Sequence, residues 1–515
     1  MLFSYLGQNF MTTLSSRLLK NIFSNWATLV TTIVLAFFVS PILVNQLGAE
    51  MYGTWVLIVS LTGFFTVLDF GINSAVVRYV SKYYEEGDQR SLSQIVASAL
   101  CLFTLVALVF LLFALVFFSD FIALFNLSEL SKDIVKTAFV IIVIDLAINL
   151  IFGVFQATLC GLHQFLKVNA ISITINIVKN AVIVYLLYQG HSILTLAIIQ
   201  LCATLATYSA QVFVVVKQQR VQLSYAHVNR KSIGLICNYS VYSFLIAIAA
   251  KLLFYSDSVV ISSVLEVSKV TFYAIPVMLC QYLEKLVWAI IAVLVPIISG
   301  NDSEEGQGKN KQMYGVATRY VLILCCPVFV VLFSSGESFL SLWMGNNFGD
   351  KTEGVFMVLL FGYIFYLAQL PSHGILKGLS KHNFLAYMML TEAVVNLVLS
   401  ITLAKYYGIW GVAVGTVIPL FISNLIVLPW WTCRLLNISY FGYLYQNILK
   451  PLSIGVLVLI SYQLVSLEVS GFIALIVNAT ATLLASVLLS TVIMERHHLD
   501  LIIKRFRKKT CGTVQ

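Results

Sequence analysis

Lys179, Lys251, Lys285, Asp145, Asp257, Glu284 and Glu392 lie inside apolar runs long enough to cross a bilayer. A charge near the bilayer centre costs about 2.5–3.5 kcal/mol on insertion scales, so such groups face a partner or a wet cavity. The densest stretch is Tyr239–Ser299. It reads as two apolar segments, roughly 239–264 and 271–298, carrying Lys251, Asp257, Glu284 and Lys285. The three ammonium groups suit an anionic ligand, which takes strong charge-assisted hydrogen bonds. A carboxylate that gains and loses a proton suits ion coupling, and Asp257 and Glu284 are the expected carriers. The carboxylates outnumber the lysines, so the band is no strongly cationic pit. Mutual ion pairing accounts for the same residues equally well. At about 1.5 Å per residue, Lys251 and Glu284 fall about 17 and 20 Å from the ends of their antiparallel segments. That predicts a resting Lys251–Glu284 pair, for which an anionic ligand would compete.

The elements that position these groups are membrane helices. The chain has 515 residues, 60% of them hydrophobic and 10% charged. Soluble domains carry about 25% charged residues. Fourteen spans are expected, the first near 22–44 and the last near 470–494. Of the 31 Lys and Arg, most fall in alternate connections, which the positive-inside rule makes cytoplasmic together with both termini. Lys132, Lys136, Lys269, Lys351 and Lys405 fall on the other side. Arg78 and Arg319 stand at the cytoplasmic mouth, where they would receive an anionic group; ordinary positive-inside charge explains them too. The net charge of +9 has this topological origin and points to no nucleic acid.

Several chemistries find no support. The nine cysteines form no CxxC pair, and the histidines show no HExxH spacing, so no metal site is read. No phosphate-binding Gly-rich loop is present, and no connection is long enough for a soluble catalytic domain. The longest connections are 71–93, 217–238 and 299–315, the last a polar, Gly-rich linker by composition. Arg17 and Lys20 precede an apolar run too long for a cleaved signal core. The expectation is therefore a transporter with no enzymatic activity and no cofactor. Tyrosines inside the spans, among them Tyr255, Tyr273, Tyr282 and Tyr366, read as packing or interfacial groups, with sugar contact as the alternative. Gly411-Val-Ala-Val-Gly415 reads as a close-packing motif.

The spans repeat. Gly161-Leu-His-Gln-Phe leads into the fifth and Gly378-Leu-Ser-Lys-His into the eleventh, and Gly190 and Gly408 each open the next. Two parallel six-helix halves follow, since each copy holds an even number of spans. The expected organisation is a cytoplasmic segment 1–21, a first half 22–216, a linker 217–238, a second half 239–430, two added helices 431–494 and a basic tail 495–515. Halves of this kind bind their substrate near the midplane.

Certain phrases carry a family likeness. They are Leu47-Gly-Ala-Glu-Met-Tyr-Gly-Thr-Trp, Leu68-Asp-Phe-Gly-Ile-Asn with Arg78 after it, Leu342-Trp-Met-Gly, and Tyr407-Gly-Ile-Trp-Gly-Val-Ala-Val-Gly-Thr. In this order they resemble the polysaccharide-transporter (Wzx-type) branch of the multidrug/oligosaccharidyl-lipid/polysaccharide flippase superfamily. The resemblance covers nearly the whole chain. It loosens at Leu265-Glu266, where the usual Gly is missing. It implies an all-α fold of fourteen helices in a bacterial inner membrane. It also implies that an undecaprenyl-diphosphate-linked oligosaccharide moves to the periplasmic leaflet by alternating access, coupled to H+ or Na+. The implied partners are that lipid-linked substrate, membrane lipids and the polysaccharide polymerase and chain-length machinery. A peptidoglycan-precursor flippase and a multidrug exporter of the same superfamily are the alternatives.

Overall fold

A computed structural model describes residues 16–116, 132–218, 227–291, 304–345, 348–352, 354–379 and 381–465, with a few more between 477 and 485. Among them there is no strand. In hydrocarbon every backbone N–H and C=O must bond within the chain, and a helix does this segment by segment. The helices are α1 (Ser16–Phe65), α2 (Ile72–Glu85), α3 (Gln89–Val116), α4 (Lys132–Gly161), α5 (Phe165–Tyr188), α6 (Ile193–Phe213), α7 (Arg230–Val264), α8 (Val267–Ile291), α9 (Glu304–Met344), α10 (Val355–Gly378), α11 (His382–Ile422), α12 (Leu428–Leu435) and α13 (Lys450–Val465). Ten helical stretches among the described residues are long and apolar enough to cross a membrane, so this is a multi-pass membrane protein. The expected last span, 470–494, lies almost wholly outside the described residues.

Glycine makes the sharp reversals. α1 breaks at Gly48 (φ 78°) and α11 at Gly408 (φ 60°), so each is two spans joined by a left-handed residue. Gly190, between α5 and α6, has φ 84°. A Cβ is disfavoured in this backbone region, and glycine enters it freely.

The chain divides into two compact units: Lys20–Pro276 with Asn383–Thr416, and Val277–His382 with Met1–Leu19 and Val417–Gln515. In the first unit α4 is central, touching α2, α3, α5 and α6. Ala75, Val76 and Val80 of α2, Leu92 and Ile95 of α3, and Val154 and Leu159 of α4 form a core with no solvent exposure. The connection 71–93 was expected to be a loop, yet most of it is α2. The reason is legible in hindsight. Apolar residues at 72, 75, 76 and 80 recur on one helical face, while Arg78 is exposed on the other. Asp69 caps its start by accepting the Asn73 N–H at 3.1 Å.

In the second unit α9 packs on α10 and α13. The expected linker 299–315 is corrected as well, because α9 begins at Glu304. A buried side-chain network ties this unit together. Tyr314 donates to Gln369 (3.1 Å), Ser372 donates to Tyr314 (2.8 Å), and Gln369 donates to the Tyr443 hydroxyl (3.2 Å). Tyr443 also meets Thr318 at 2.9 Å, and its ring stacks on Tyr314 with centroids 4.4 Å apart.

The Gly411–Gly415 motif folds α11 back on itself. A Cβ on Gly415 would stand 2.7 Å from the Ser400 backbone nitrogen. Gly415→Leu is therefore expected to cost about 1–3 kcal/mol through overpacking. Thermal unfolding in detergent checks this, with Gly234→Ala as the control, since nothing lies within 4 Å of that position. An unchanged midpoint for Gly415→Leu would contradict the tight packing.

Candidate functional site

The most fully built polar cluster surrounds Asp257, a carboxylate 6% exposed on α7. Tyr273 of α8 donates to Oδ2 at 2.6 Å, and Thr416 of α11 donates to the same oxygen at 2.9 Å. Ser400 of α11 donates to Oδ1 at 3.4 Å. Beside them Ser256 donates to Asn396 Oδ1 at 3.3 Å. The hydroxyls come together because of register. Asn396 and Ser400 are one turn apart on one arm of α11, and the return at Gly408 brings Thr416 alongside. Glu392, one further turn back, is also buried. A buried carboxylate ringed by hydroxyl and amide oxygens can hold a proton or a hard monovalent cation, which prefers oxygen ligands. The sequence singled out Asp257 and Glu392 but read Tyr273 as packing and passed over Asn396, Ser400 and Thr416. The available signal was small polar residues at i, i+4 in otherwise apolar helix.

A second polar centre lies within the same unit. Lys179 of α5 donates to Gln200 Oε1 at 3.3 Å, and Gln200 donates to Thr204 at 3.4 Å. Asp145 of α4, 7% exposed, accepts from Asn149 at 3.1 Å, and Asn149 accepts from Tyr208 at 3.0 Å. A cavity of about 250 Å³ opens among these side chains. The structure thus brings the sequence-selected Lys179 and Asp145 to one centre, held in place by uncharged groups that charge alone does not reveal.

Lys251 is half-buried, with its Nζ 5.1 Å from the Tyr255 ring centre. That ring fills the space a Cβ on Gly63 would need. Glu284, in the second unit, accepts from the Tyr366 hydroxyl at 2.8 Å. Each residue of the expected Lys251–Glu284 pair finds its described partner within its own unit. The cation takes an aromatic face, which attracts it through the ring quadrupole. The carboxylate takes a phenol. Lys285 is exposed, its Nζ 5.3 Å from the Tyr282 ring centre.

Around Glu284 stands a group that the sequence did not suggest. Tyr366, His373 and Lys377 share α10 at helical spacing, and Trp288 is one turn from Glu284 on α8. Lys377 Nζ sits 4.4 Å from the Trp288 ring centre, and His373 packs edge-on against both Trp288 and Tyr366. His373 Nε2 is buried and has no hydrogen-bond partner among the described residues.

The two arginines differ. Arg78 is exposed on the polar face of α2, its guanidinium 5.9 Å from the Tyr79 ring centre. Arg319 of α9 donates from Nη2 to Asn447 at 3.1 Å, and its buried Nε has no partner among the described residues. No cluster of three or more His, Cys, Asp and Glu able to hold a metal ion occurs among the described residues.

Comparison with known proteins fits this picture. Residues 18–301 match the family model described as polysaccharide biosynthesis protein. A Shigella flexneri protein named as a candidate O-antigen transporter is 22% identical, over 77% of this chain and 93% of its own. Among solved structures, the lipid II flippase MurJ in an inward closed conformation has a TM-score of 0.72 at 15% identity, covering 93% of this chain and 99% of its own. An inward-facing multidrug resistance MATE family transporter of the MOP superfamily has a TM-score of 0.69 at 13% identity, over 78% of this chain and 94% of its own. With more than half of its length matched by the family model, and this fold along nearly all of it, the chain belongs to the polysaccharide biosynthesis protein family and has the architecture of the multidrug/oligosaccharidyl-lipid/polysaccharide flippase superfamily.

Proposed function

We propose that the protein is a flippase for an undecaprenyl-diphosphate-linked oligosaccharide, carrying it from the cytoplasmic to the periplasmic leaflet of a bacterial inner membrane by alternating access. The reading rests on one observation. A member of a polysaccharide biosynthesis family consists, in its described residues, almost wholly of membrane helices on the fold of a lipid flippase. The likeness to the O-antigen transporter relative supports a surface-polysaccharide repeat unit as cargo. The likeness to the lipid II flippase keeps a peptidoglycan precursor as the second reading. The distribution of Lys and Arg supports cytoplasmic termini.

In this reading the side chains divide the work. A diphosphate cannot cross hydrocarbon bare and needs donors along its way. Arg78 and Arg319 are the receiving cations, and Lys251 and Lys285 follow within the membrane. Asp257 is the coupling carboxylate. Its hydroxyl ring supports exchange of H+ or Na+ at that position, with Glu284 and Glu392 as the other acidic candidates.

Cells lacking the gene are expected to lose surface polysaccharide and to hold the lipid-linked unit on the cytoplasmic leaflet, as read by access of a membrane-impermeant glycan-labelling reagent. Normal surface glycan with raised drug sensitivity would instead indicate an exporter. Lys251→Ala is expected to abolish export while the protein still inserts; full export would remove Lys251 from the headgroup path. Asp257→Asn keeps the side chain's size but removes its charge. In proteoliposomes it should transport at the same rate with and without an imposed proton or sodium gradient. A gradient response equal to that of the unaltered protein would assign coupling elsewhere.

A further inference from the structure

The polar cavity beside Lys179 has a chemistry unlike that of a diphosphate site. It lies inside the unit containing Lys20–Pro276, among α1, α4, α5 and α6, and holds about 250 Å³. Of its lining, Ile173, Ile175 and Ala203 alone lack a hydroxyl, amide or ammonium group. That is an unusual wall in a chain that is 60% hydrophobic. The space equals the liquid volume of about eight waters. Gln156 of the lining is exposed.

A phosphate group only accepts hydrogen bonds, so its sites are built of donors and cations. Here Lys179 is the single charged residue in the lining. It is countered by the Asp145 carboxylate, which stands behind Asn149 and bonds to it. Thr204 and Gln200 also face this carboxylate as hydrogen-bonding side chains. The local charge therefore sums to zero. Apart from Ile173, Ile175 and Ala203, the rest of the wall consists of threonine and serine hydroxyls, asparagine and glutamine amides and the Tyr208 phenol, each able to donate and to accept. Sugar hydroxyls likewise donate and accept. One side of the cavity is firmly set, with Tyr208 on Asn149 at 3.0 Å. The other is loosely set, since the Lys179–Gln200 and Gln200–Thr204 bonds of 3.3 and 3.4 Å are at the long end for such contacts. Long bonds are the ones an incoming hydroxyl can replace at small cost.

We propose that this cavity is a subsite for one uncharged sugar ring of the transported glycan, read by Gln200, Thr204 and Asn149, with the diphosphate held elsewhere. The assignment rests on the flippase reading and divides the cargo's recognition between a cationic path for the headgroup and a neutral pocket for the glycan. Lys179 changes role accordingly. It orients Gln200 and donates to a sugar oxygen, and it is no phosphate anchor.

The test uses the full-length protein in nanodiscs and two soluble probes. One is the repeat-unit oligosaccharide released without lipid or phosphate from the producing strain's own surface polysaccharide; the other is inorganic pyrophosphate. Saturation-transfer NMR is expected to show saturable oligosaccharide binding that pyrophosphate does not displace. Gln200→Leu with Thr204→Val should weaken that binding tenfold or more, and Lys179→Met by less, with melting temperatures showing that the variants remain folded. Equal binding by the double variant would overturn the site while leaving the flippase reading intact. So would pyrophosphate binding that Lys179→Met removes. Absence of oligosaccharide binding in the unaltered protein would overturn the sugar site as well. The leaflet assay judges the flippase reading independently, because it does not depend on this cavity.

Discussion

Inside hydrocarbon, water supplies no hydrogen bonds, and the rest of this structure depends on that constraint. For the backbone it dictates helices. For side chains it dictates company, from neighbouring helices for Asp257 and Glu284 and from its own helix for Lys251. Asp257 receives three hydroxyls, Glu284 a phenol, and Lys251 an aromatic face. The two carboxylates are thus also points at which helices are tied to one another. Changing one alters packing as well as chemistry, which is why conservative replacements such as Asp to Asn are more informative than truncations.

The constraint also explains the small residues. Thr416 and Ser400 can meet at one carboxylate only because Gly415 lets the second arm of α11 approach the backbone of the first. A motif that reads as simple close packing therefore sets the geometry of an ionisable centre. Thr271 and Gly53 play a similar part between α1 and α8. The Thr271 hydroxyl reaches the Ala49 carbonyl at 2.6 Å, and Gly53 leaves room for the Val267 carbonyl.

The fold was largely legible in the sequence because lipid forces a coarse code. Apolar runs mark spans, and Gly48, Gly190 and Gly408 mark reversals. The charged members of the candidate site were legible for the same reason, since a charge in such a run stands out. Their partners were not. Asn396, Ser400, Thr416, Gln200 and Thr204 are unremarkable in composition, and only their register across helices brings them together. Register between distant spans leaves no local signal. The amphipathic α2 was missed for a related reason: a search for long apolar runs passes over a helix that buries only one face.

The stacked tyrosines of the second unit bear on how modular the chain is. Tyr443 precedes α13, in the segment expected to follow the two halves. It nonetheless accepts a hydrogen bond from Gln369, bonds with Thr318 and gives Tyr314 a stacking face, while Asn447 engages Arg319. The segment from Tyr443 into α13 is consequently not a detachable appendage to α9 and α10. A lineage that shed it would have to rebuild the buried polar surface of α9 and α10 at the same time, so gain or loss of this segment would require several coordinated substitutions beyond a simple change in length.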